Sequence, residues 1–283
     1  IRPDADTAEE RAEAVAETGQ AIYAVLDEVI TERQAERRDD FISGFLDAEV
    51  DGERLTPEEV ADIGYLFFLA GLDTVTASLD CVLRPRRVAV IGASRTPNTI
   101  GHEIVSNLVG YGFTGTVFPV NPKADAICTL KTYPTIGAVP DPVDMAVITV
   151  PKQHVLAVAE ECGQAGVRGL TVISAGFREV GVARAREAGI RLIGPNCMGV
   201  LNADPAVSMN ATFAPSMPPF GRAGFVSQSG AMGLSVLDYA KEYGIGISQF
   251  VSMGNKPDVS GNDLLLHWEH DPSIGLVLMY VEN

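Results

Sequence analysis

Eight short apolar runs between residues 88 and 281 constrain the fold more than any other feature of the sequence. They are rich in Val and Ile, and stretches with helical periodicity separate most of them. Strands that are apolar along their whole length are typical of a parallel sheet that helices cover on both faces. The runs are VAVIG, GTVFPV, DMAVITV, GLTVIS, IRLIG, AGFVS, ISQFVS and IGLVLMYV. This part of the chain is therefore predicted to have an α/β fold.

The N-terminal part of the chain has a different character. Apolar residues recur at helical spacing from Thr7 to about Arg38. The stretch TPEE at 56–59 places Thr, Pro and Glu at the N-cap, N1 and N3 positions of a helix, which we expect to run to about Leu83. Residues 1–80 hold 21 acidic residues against 6 arginines, so they carry −15 of the net charge of −16. This break indicates two segments of different origin.

These patterns predict two domain boundaries. One lies near residue 82, where the periodicity changes, and the other lies in the proline-rich connector FAPSMPPFGR at 213–222. We therefore predict an all-helical segment over residues 1–82, an α/β domain over 83–215 and a second, truncated α/β domain over 216–283.

Composition and charge exclude several classes of protein. A net charge of −16 argues against nucleic acid or an anionic membrane as a partner. The longest apolar run, around Tyr65 to Leu72, is far shorter than a membrane span, and the opening IRPDADTAEE lacks the regions of a signal peptide. We expect a cytoplasmic protein, because the cysteines are scattered without a C-x-x-C pair. They are Cys81, Cys128, Cys162 and Cys197.

The first apolar run ends in a glycine turn that could bind phosphate. The residues GASR at 92–95 follow the strand and precede a helix expected to begin near Gly101, so free amides would face an anion. The pattern is not the G-x-G-x-x-G of dinucleotide sites. After the second run, NPK at 121–123 stands where such sites carry an acidic residue. The lysine favours a phosphorylated ligand over NAD, and a solvated loop lysine is the alternative.

A second turn of this kind lies in GFVSQSGAM at 224–232. Ser227, Ser229 and the amides of Gly230 and Ala231 could hold a phosphoryl group at the start of the next helix. A single turn of this sort is more often a helix cap. Two in one chain, each at the carboxyl end of a strand, favour phosphate binding.

Seven motifs of the C-terminal part identify a resemblance to a known family. They are RPRRVAVIGASR, FPVNPKA, DMAVITVP, VISAGF, RLIGPNCMGVLN, GFVSQSGAM and VSMGNKPDVSGNDLL. With these motifs in order, residues 83–283 resemble the CoA-binding and first ligase domains of NDP-forming acyl-CoA synthetases, relatives of the succinyl-CoA synthetase α-subunit. The resemblance implies a Rossmann-like CoA-binding domain followed by a partial flavodoxin-like ligase domain.

The resemblance also implies where CoA would lie, across the carboxyl edge of the first sheet. The residues expected to contact it are Gly92, Ala93, Ser94 and Arg95 at the ADP portion, Lys123 at the phosphates, Val150 and Pro151 at the adenine, and Ile173, Ser174 and Ala175 along the pantetheine.

Two further residues are expected to serve the chemistry of that family, in which an acyl phosphate, a phosphohistidine and CoA react in turn. Asn196 in GPNCMG would contact the reacting acyl or phosphoryl group, and Glu282 matches the glutamate that braces the phosphohistidine. Cys197 in the same turn could be a nucleophile, but no histidine or acid lies near it in the motif, which favours a buried packing role.

Parts of that chemistry are not expected in this sequence. None of the four histidines stands in a phosphohistidine motif, and no ATP-grasp domain is recognised. His267 and His270 have a spacing that would allow a metal pair, but without a third ligand a solvated helix face is favoured. We expect a CoA-binding part that does not complete ligation alone and needs a separate ATP-grasp subunit or domain.

The N-terminal segment resembles another family. FLAGLDTVTASL at 68–79 is similar to the distal I-helix of cytochromes P450, whose acid and threonine relay protons to bound dioxygen. Haem also needs a cysteine thiolate in a glycine-rich loop, which does not follow here. Haem is therefore not expected, and residues 1–82 are interpreted as a P450 fragment fused to the CoA-binding part. A working haem monooxygenase and a non-catalytic CoA-binding regulatory module remain the alternatives.

Overall fold

The structure is a computed structural model that describes residues 8–50, 52–175 and 179–282, with the side chains of 8–16, 68–78 and 179–180 excepted. The chain divides into two compact units, Ile1–Thr74 and Val75–Asn283. The AGLDT sequence at 70–74, on which the resemblance to cytochromes P450 depends, belongs to the residues whose side chains are not described.

The first unit is built from helices and one small hairpin. The predicted cap at 56–59 is present, because Thr56 and Glu59 bond each other's amides. Asp40 caps α2 by accepting a hydrogen bond from the Ser43 amide. Two short antiparallel strands pair within this unit, so the segment is not all-helical as predicted. The elements are α1 (Ala8–Ala35), α2 (Phe41–Leu46), β1 (Glu49–Val50), β2 (Glu53–Arg54) and α3 (Pro57–Leu83), which continues into the second unit.

The first sheet of the second unit is wholly parallel. Its strand order is β4-β3-β7-β8-β9, from β3 (Arg87–Ile91), β4 (Thr116–Val120), β7 (Met145–Ile148), β8 (Gly169–Val172) and β9 (Arg191–Ile193). A hairpin of β5 (Ala126–Ile127) and β6 (Leu130–Lys131) follows β4. The helices are α4 (Ile100–Gly110), α5 (Val155–Gln164) and α6 (Glu179–Glu187). The order reverses between β3 and β7, and ligands of such folds bind outside the carboxyl ends of the strands at this point.

The second sheet is mixed, with strand order β11-β10-β13-β12-β14. Its elements are β10 (Gly199–Asn202), β11 (Met209–Thr212), β12 (Ala223–Ser227), α7 (Gly230–Tyr243), β13 (Ile247–Ser252), α8 (Gly261–Glu269) and β14 (Leu276–Tyr280). All eight predicted apolar runs are strands. β10 pairs antiparallel with both β11 and β13, so this sheet includes residues that precede the proline-rich connector. The Rossmann-like and flavodoxin-like α/β fold predicted from the sequence is thus present.

The last turns of α3 are part of the core of the second unit. Leu79, Val82 and Leu83 are fully buried among side chains of the sheets. A Cβ atom at Gly169 would lie 2.4 Å from a Val82 methyl carbon, so the glycine lets the helix pack directly on β8. The Asn202 amide donates to the Leu83 carbonyl at 2.8 Å, which satisfies an acceptor at the helix end.

In the part of the chain that the structure describes, no helix is long and apolar enough to cross a membrane.

Candidate functional site

The carboxyl edge of the first sheet contains the turn after β3. Gly92 has φ 91°, and a Cβ there would lie 2.7 Å from Thr149 Oγ1. A Cβ at Gly101 would lie 2.2 Å from the Gly92 carbonyl oxygen, so α4 begins directly against the turn. The N-cap residue Thr99 makes no side-chain bond to the helix amides. The His102 and Glu103 amides donate to the Thr99 carbonyl, which leaves the Ile100 and Gly101 amides for an anion at the switch point of the sheet.

Asn121 links the loop after β4 to this turn. Its Nδ2 donates to the Ala93 carbonyl at 2.6 Å, and its Oδ1 accepts from the Lys123 amide at 2.8 Å. The Asn121 side chain thus holds two loops together at the position where dinucleotide-binding sites carry an acidic residue. The exposed Lys123 lies two residues further on, in the loop that Asn121 holds against the glycine turn.

Hydrogen bonds link the loops at the remaining strand ends of the first sheet one to the next. Thr149 Oγ1 donates to the Ile91 carbonyl at 3.0 Å, and Ser174 Oγ donates to the Val150 carbonyl. The backbone amide of Asn196 in turn donates to the Ser174 carbonyl at 3.2 Å. A ligand at this edge would therefore lie on a row of fixed loops.

All ten residues predicted to contact CoA are on this edge. Ala93 and Ile173 are buried, so only their backbone groups are available, whereas Arg95, Pro151 and Ala175 are exposed. The contacts themselves stay predictions for Gly92, Ala93, Ser94, Arg95, Lys123, Val150, Pro151, Ile173, Ser174 and Ala175.

The turn that contains Asn196 joins the edges of the two sheets. Asn196 is exposed and has φ 60°, a left-handed conformation that asparagine tolerates. The Asn255 amide donates to the Pro195 carbonyl at 2.9 Å, and Asn196 Nδ2 lies 3.4 Å from Asn255 Oδ1. A Cβ at Gly254 would lie 2.2 Å from the Pro195 carbonyl oxygen, which explains the glycine there. The predicted reacting-group residue thus lies between the two sheets.

The predicted phosphate-binding residues lie at the start of α7. Ser227 is fully buried and its hydroxyl donates to the Ser229 carbonyl at 2.7 Å. Ser229 is the N-cap, and its hydroxyl accepts from the Met232 amide at 3.4 Å. Gly230 is the first helical residue, and no acidic residue occupies the first turn. The Ser227 hydroxyl is engaged as a donor, whereas the Ser229 hydroxyl only accepts. The free amides of this turn and the hydroxyl hydrogen of Ser229 are therefore the groups best placed for an anion.

Gln228 and Lys256 also lie at the carboxyl ends of strands β12 and β13, and no motif in the sequence predicted a role for them. Gln228 Oε1 accepts from Lys256 Nζ at 3.3 Å and from the Glu282 amide at 2.7 Å. The sequence does contain a sign of Lys256, because GNKPD at 254–258 places this lysine just after a buried strand. Glu282 is exposed, and its carboxylate raises the pKa of Tyr280 by accepting that hydroxyl's hydrogen bond. Its expected bracing role stays a prediction.

Cys197 is a packing residue, as expected. Its Sγ donates to the Val172 carbonyl at 3.3 Å, and burial raises the pKa of the thiol to about 12. Because only the thiolate reacts, the side chain is inert near neutral pH.

We expect iodoacetamide at pH 8 to label Cys128 before Cys197 or Cys162. Cys128 is only half-buried, and although burial raises its pKa as well, burial raises the pKa of the Cys162 and Cys197 thiols to about 12. Peptide mass spectrometry after timed alkylation measures the order, and unfolding in guanidinium should expose the two slow thiols. Rapid native labelling of Cys197 would contradict the packing role.

His267 does not lie on a solvated helix face, so that prediction was wrong. It is 5% exposed, and among the described side chains neither ring nitrogen has a hydrogen-bond partner; the nearest described carboxylate oxygen, on Asp80, is 3.9 Å away. Burial lowers the pKa of the imidazole. His270, the C-cap of α8, is exposed. Among the described residues, no group of three or more His, Cys, Asp or Glu side chains could hold a metal ion.

Two family models match the chain. Residues 86–203 match the CoA binding domain, and residues 220–283 match the succinyl-CoA ligase like flavodoxin domain. Neither match includes the segment that resembles cytochromes P450.

The relatives and solved structures agree with these matches. An ADP-forming acetate–CoA ligase of Methanocaldococcus jannaschii is 43% identical over 70% of this chain and 29% of the relative. Subunit alpha of the ADP-forming acetate–CoA ligase I of Pyrococcus furiosus is 42% identical over 73% of this chain and 47% of the relative. The dinucleotide forming acetyl-coenzyme A synthetase 1 of Ca. Korarchaeum cryptofilum, in complex with phosphate and ADP, is 46% identical, with a TM-score of 0.69 over 72% of this chain and 46% of that chain.

The chain spans less than half the length of these relatives. Over the part of these relatives that the chain spans, the α/β fold and the loops at the strand ends are consistent with both family matches. Residues 86–203 and 220–283 are therefore a CoA-binding domain and a succinyl-CoA ligase-like flavodoxin domain, and their homologues include ADP-forming acid–CoA ligases.

Proposed function

We propose that this chain is the CoA- and acyl-binding part of an NDP-forming acid–CoA ligase. The observation that carries the proposal is the unbroken row of contacts along both sheet edges. It runs from the Gly92 turn through Ser174 to Asn196, and from there through Asn255 to Lys256 and the start of α7. A long ligand with phosphates at one end could extend along this row and bring its other end to a second anion site.

In this proposal CoA occupies the first part of the row. The ADP portion lies on the turn at 92–95, with its phosphates near the α4 amides and Lys123. The pantetheine passes the loop at 173–175, and the thiol reaches Asn196. The turn after β12 then holds the phosphoryl group of an acyl phosphate.

The reaction proposed at Asn196 is acyl transfer to CoA. The sulfur attacks the carbonyl carbon of the acyl phosphate, the C–S bond forms, the bond from that carbon to the phosphate oxygen breaks, and the thiol proton is released. The Asn196 amide would donate to the carbonyl oxygen as negative charge develops on it. In that step the phosphate leaves as inorganic phosphate. Glu282 would brace a phosphohistidine, which in the complete enzyme transfers its phosphoryl group to the acid and so forms the acyl phosphate.

The nucleotide is proposed to bind elsewhere. The P. furiosus relative is described as a subunit alpha, and this chain spans 47% of it. We propose that a separate ATP-grasp subunit or domain supplies the nucleotide chemistry, and that residues 1–283 alone do not complete ligation.

Titration of CoA into the chain by isothermal calorimetry tests the proposal. We expect saturable binding, and Lys123→Gln should weaken it about tenfold or more because a charge-assisted hydrogen bond to phosphate is lost. Lys241→Gln, with the same charge change in the last turn of α7, should bind as the wild type does. No heat at millimolar CoA would refute the proposed function.

A non-catalytic CoA sensor would bind CoA equally well. Mixing the chain with CoA and acetyl phosphate and measuring acetyl-CoA separates the two, because only a ligase part transfers the acyl group.

For residues 1–82 we propose a P450-like pattern without a haem function. A Soret band after reconstitution with haem would contradict that proposal.

A further inference from the structure

A cavity of about 460 Å³ lies at the amino ends of β3 and β14, whereas the proposed CoA site follows the carboxyl ends of the strands. We call it the amino-edge cavity. Its charged and titratable lining residues lie in the last turns of α3 and α8 and in the loops nearby: Asp80, Arg84, Asp204, His267, His270 and Asp271. The proposed ligase chemistry uses none of them.

His267 is a buried polar side chain that lines this cavity. It is 5% exposed, and within the part of the chain that the structure describes neither Nδ1 nor Nε2 forms a hydrogen bond. A buried polar group that lacks a partner costs free energy, so its presence in a folded core requires an explanation. A ligand from outside the chain that bonds the imidazole would supply one.

Asp80 is the acid that faces this imidazole. Its Oδ1 lies 3.9 Å from His267 Nε2, which is too far for a direct hydrogen bond. Among the described residues, no lysine or arginine forms an ion pair with this carboxylate. A single nitrogen atom can lie about 2.9 Å from each of two acceptors separated by this distance. The gap between the two side chains therefore has the size of one bridging donor.

The charge of the cavity favours a cation as that donor. Arg84 Nη2 donates to Asp271 at 2.8 Å, and its Nη1 lies 3.8 Å from Asp204. Three carboxylates and one guanidinium give the lining a formal charge of −2 while both histidines are neutral. The C-termini of α3 and α8, which carry partial negative charge, also lie at this cavity. An anion is therefore disfavoured here.

We propose that the amino-edge cavity binds an aliphatic primary amine, as its ammonium ion, between Asp80 and His267. The Asp80 carboxylate accepts one N–H of the ammonium. The neutral imidazole accepts a second N–H at Nε2 and carries its own proton on Nδ1. The alkyl chain occupies the rest of the cavity. This inference is independent of the proposed function, because neither residue lies at the proposed CoA site.

Calorimetric titration of diaminobutane into the intact chain near neutral pH measures the affinity. We expect saturable binding. Butanediol has nearly the same shape without the charge, and tetramethylammonium has the charge without an N–H group, so neither should bind. In a chain with isotope-labelled histidine, diaminobutane should shift the Nε2 resonance of His267 and leave those of His102 and His154 unchanged.

Two variants remove the two acceptors separately. Asp80→Asn, at an exposed position, should weaken diaminobutane binding about tenfold or more, because a charge-assisted hydrogen bond is lost. Asp141→Asn, the same change at an exposed acid outside the cavity, should leave the affinity within about twofold. His267→Leu should weaken binding as much as Asp80→Asn does. It should not lower the melting temperature, because no described hydrogen bond is lost.

The pH dependence gives a further readout, since a protonated imidazole cannot accept a hydrogen bond. Burial lowers the pKa of His267; Asp80 and Asp271 oppose this effect, while Arg84 and His270 add to it. The affinity should therefore hold at neutral pH and fall only below the ordinary histidine pKa of about 6.5. The His267→Leu variant should lack this step.

A wild-type chain without saturable diaminobutane binding overturns the inference, and a water molecule that bridges the two side chains would give that result. Equal affinity for butanediol, or wild-type affinity in both cavity variants, overturns it as well. CoA affinity, titrated separately, should stay within about twofold of the wild-type value in every variant. Failure of the amine site thus leaves the proposed function standing, and absence of CoA binding leaves the amine site standing.

Discussion

Gly101→Ala should severely weaken CoA binding and lower the thermal stability of the α/β unit. The added Cβ would lie 2.2 Å from the Gly92 carbonyl oxygen and 3.1 Å from the Ala93 Cα. Both are backbone atoms of the turn at the switch point, so α4 or the turn must move. Overpacking of this kind costs about 1–3 kcal/mol, and the movement displaces the amides expected to face the CoA phosphates.

Gly110→Ala is the matched control for this substitution. It adds the same methyl group to the same helix, but a Cβ there has no atom within 4 Å. This variant should be neutral or slightly stabilised, because alanine is the better helix former by up to about 1 kcal/mol. Circular dichroism melts and CoA calorimetry measure both quantities. A Gly101→Ala protein with wild-type melting and affinity would contradict the direct packing of α4 on the turn.

Asp258→Ala is expected to give the largest loss of stability. The carboxylate is 2% exposed and accepts from Arg186, Arg191 and the Leu192 amide, the last at 2.8 Å. Its removal leaves the buried Leu192 amide without this acceptor and takes a carboxylate from both guanidinium groups. Arg191 keeps Asp263 at 3.7 Å, and the largely exposed Arg186 keeps the Pro257 carbonyl, so we expect a loss near the lower end of the about 3–5 kcal/mol for a broken buried ion pair. The same contacts hold the loop after β13 against β9.

Glu160→Ala provides the comparison for Asp258→Ala. Glu160 pairs with Arg184, but both side chains are largely exposed, at 41% and 55%. An exposed pair contributes about 0–1 kcal/mol, so this variant should unfold close to the wild-type denaturant concentration. Urea denaturation followed by circular dichroism gives both free energies of unfolding. If the two variants lose equal stability, Asp258 does not anchor the loop.

The strands and glycine turns could be predicted because their signals are local. A strand buried on both faces is apolar throughout, and a turn that approaches another backbone needs glycine. The strands β10 and β11 could not be predicted in this way, because they contain Asn202 and Asn210, which read as loop residues. These side chains are buried with long-range or neighbouring carbonyls as partners, such as the Leu83 carbonyl for Asn202.

The candidate site could be predicted only in part, because only some of its residues have a local sequence signal. Motifs at strand ends place Lys123 and Asn196 without knowledge of the tertiary fold. The pairing of Lys256 with Gln228 joins the loops after two different strands, so no single stretch of sequence contains it. The burial of His267 likewise depends on what packs against α8. Neither contact has a local sequence signal.

The end of α3 has a practical consequence for any chimera or shortened chain. Leu79, Val82 and Leu83 fill the core of the α/β unit, which begins at Val75. A chain started at residue 83, where the family resemblance begins, would lack two of these three side chains and leave a cavity in the core. A transplant of the CoA-binding domain should therefore carry residues 75–82 with it. A new upstream sequence can replace the rest, provided that it continues the helix in register and presents large apolar side chains at these positions.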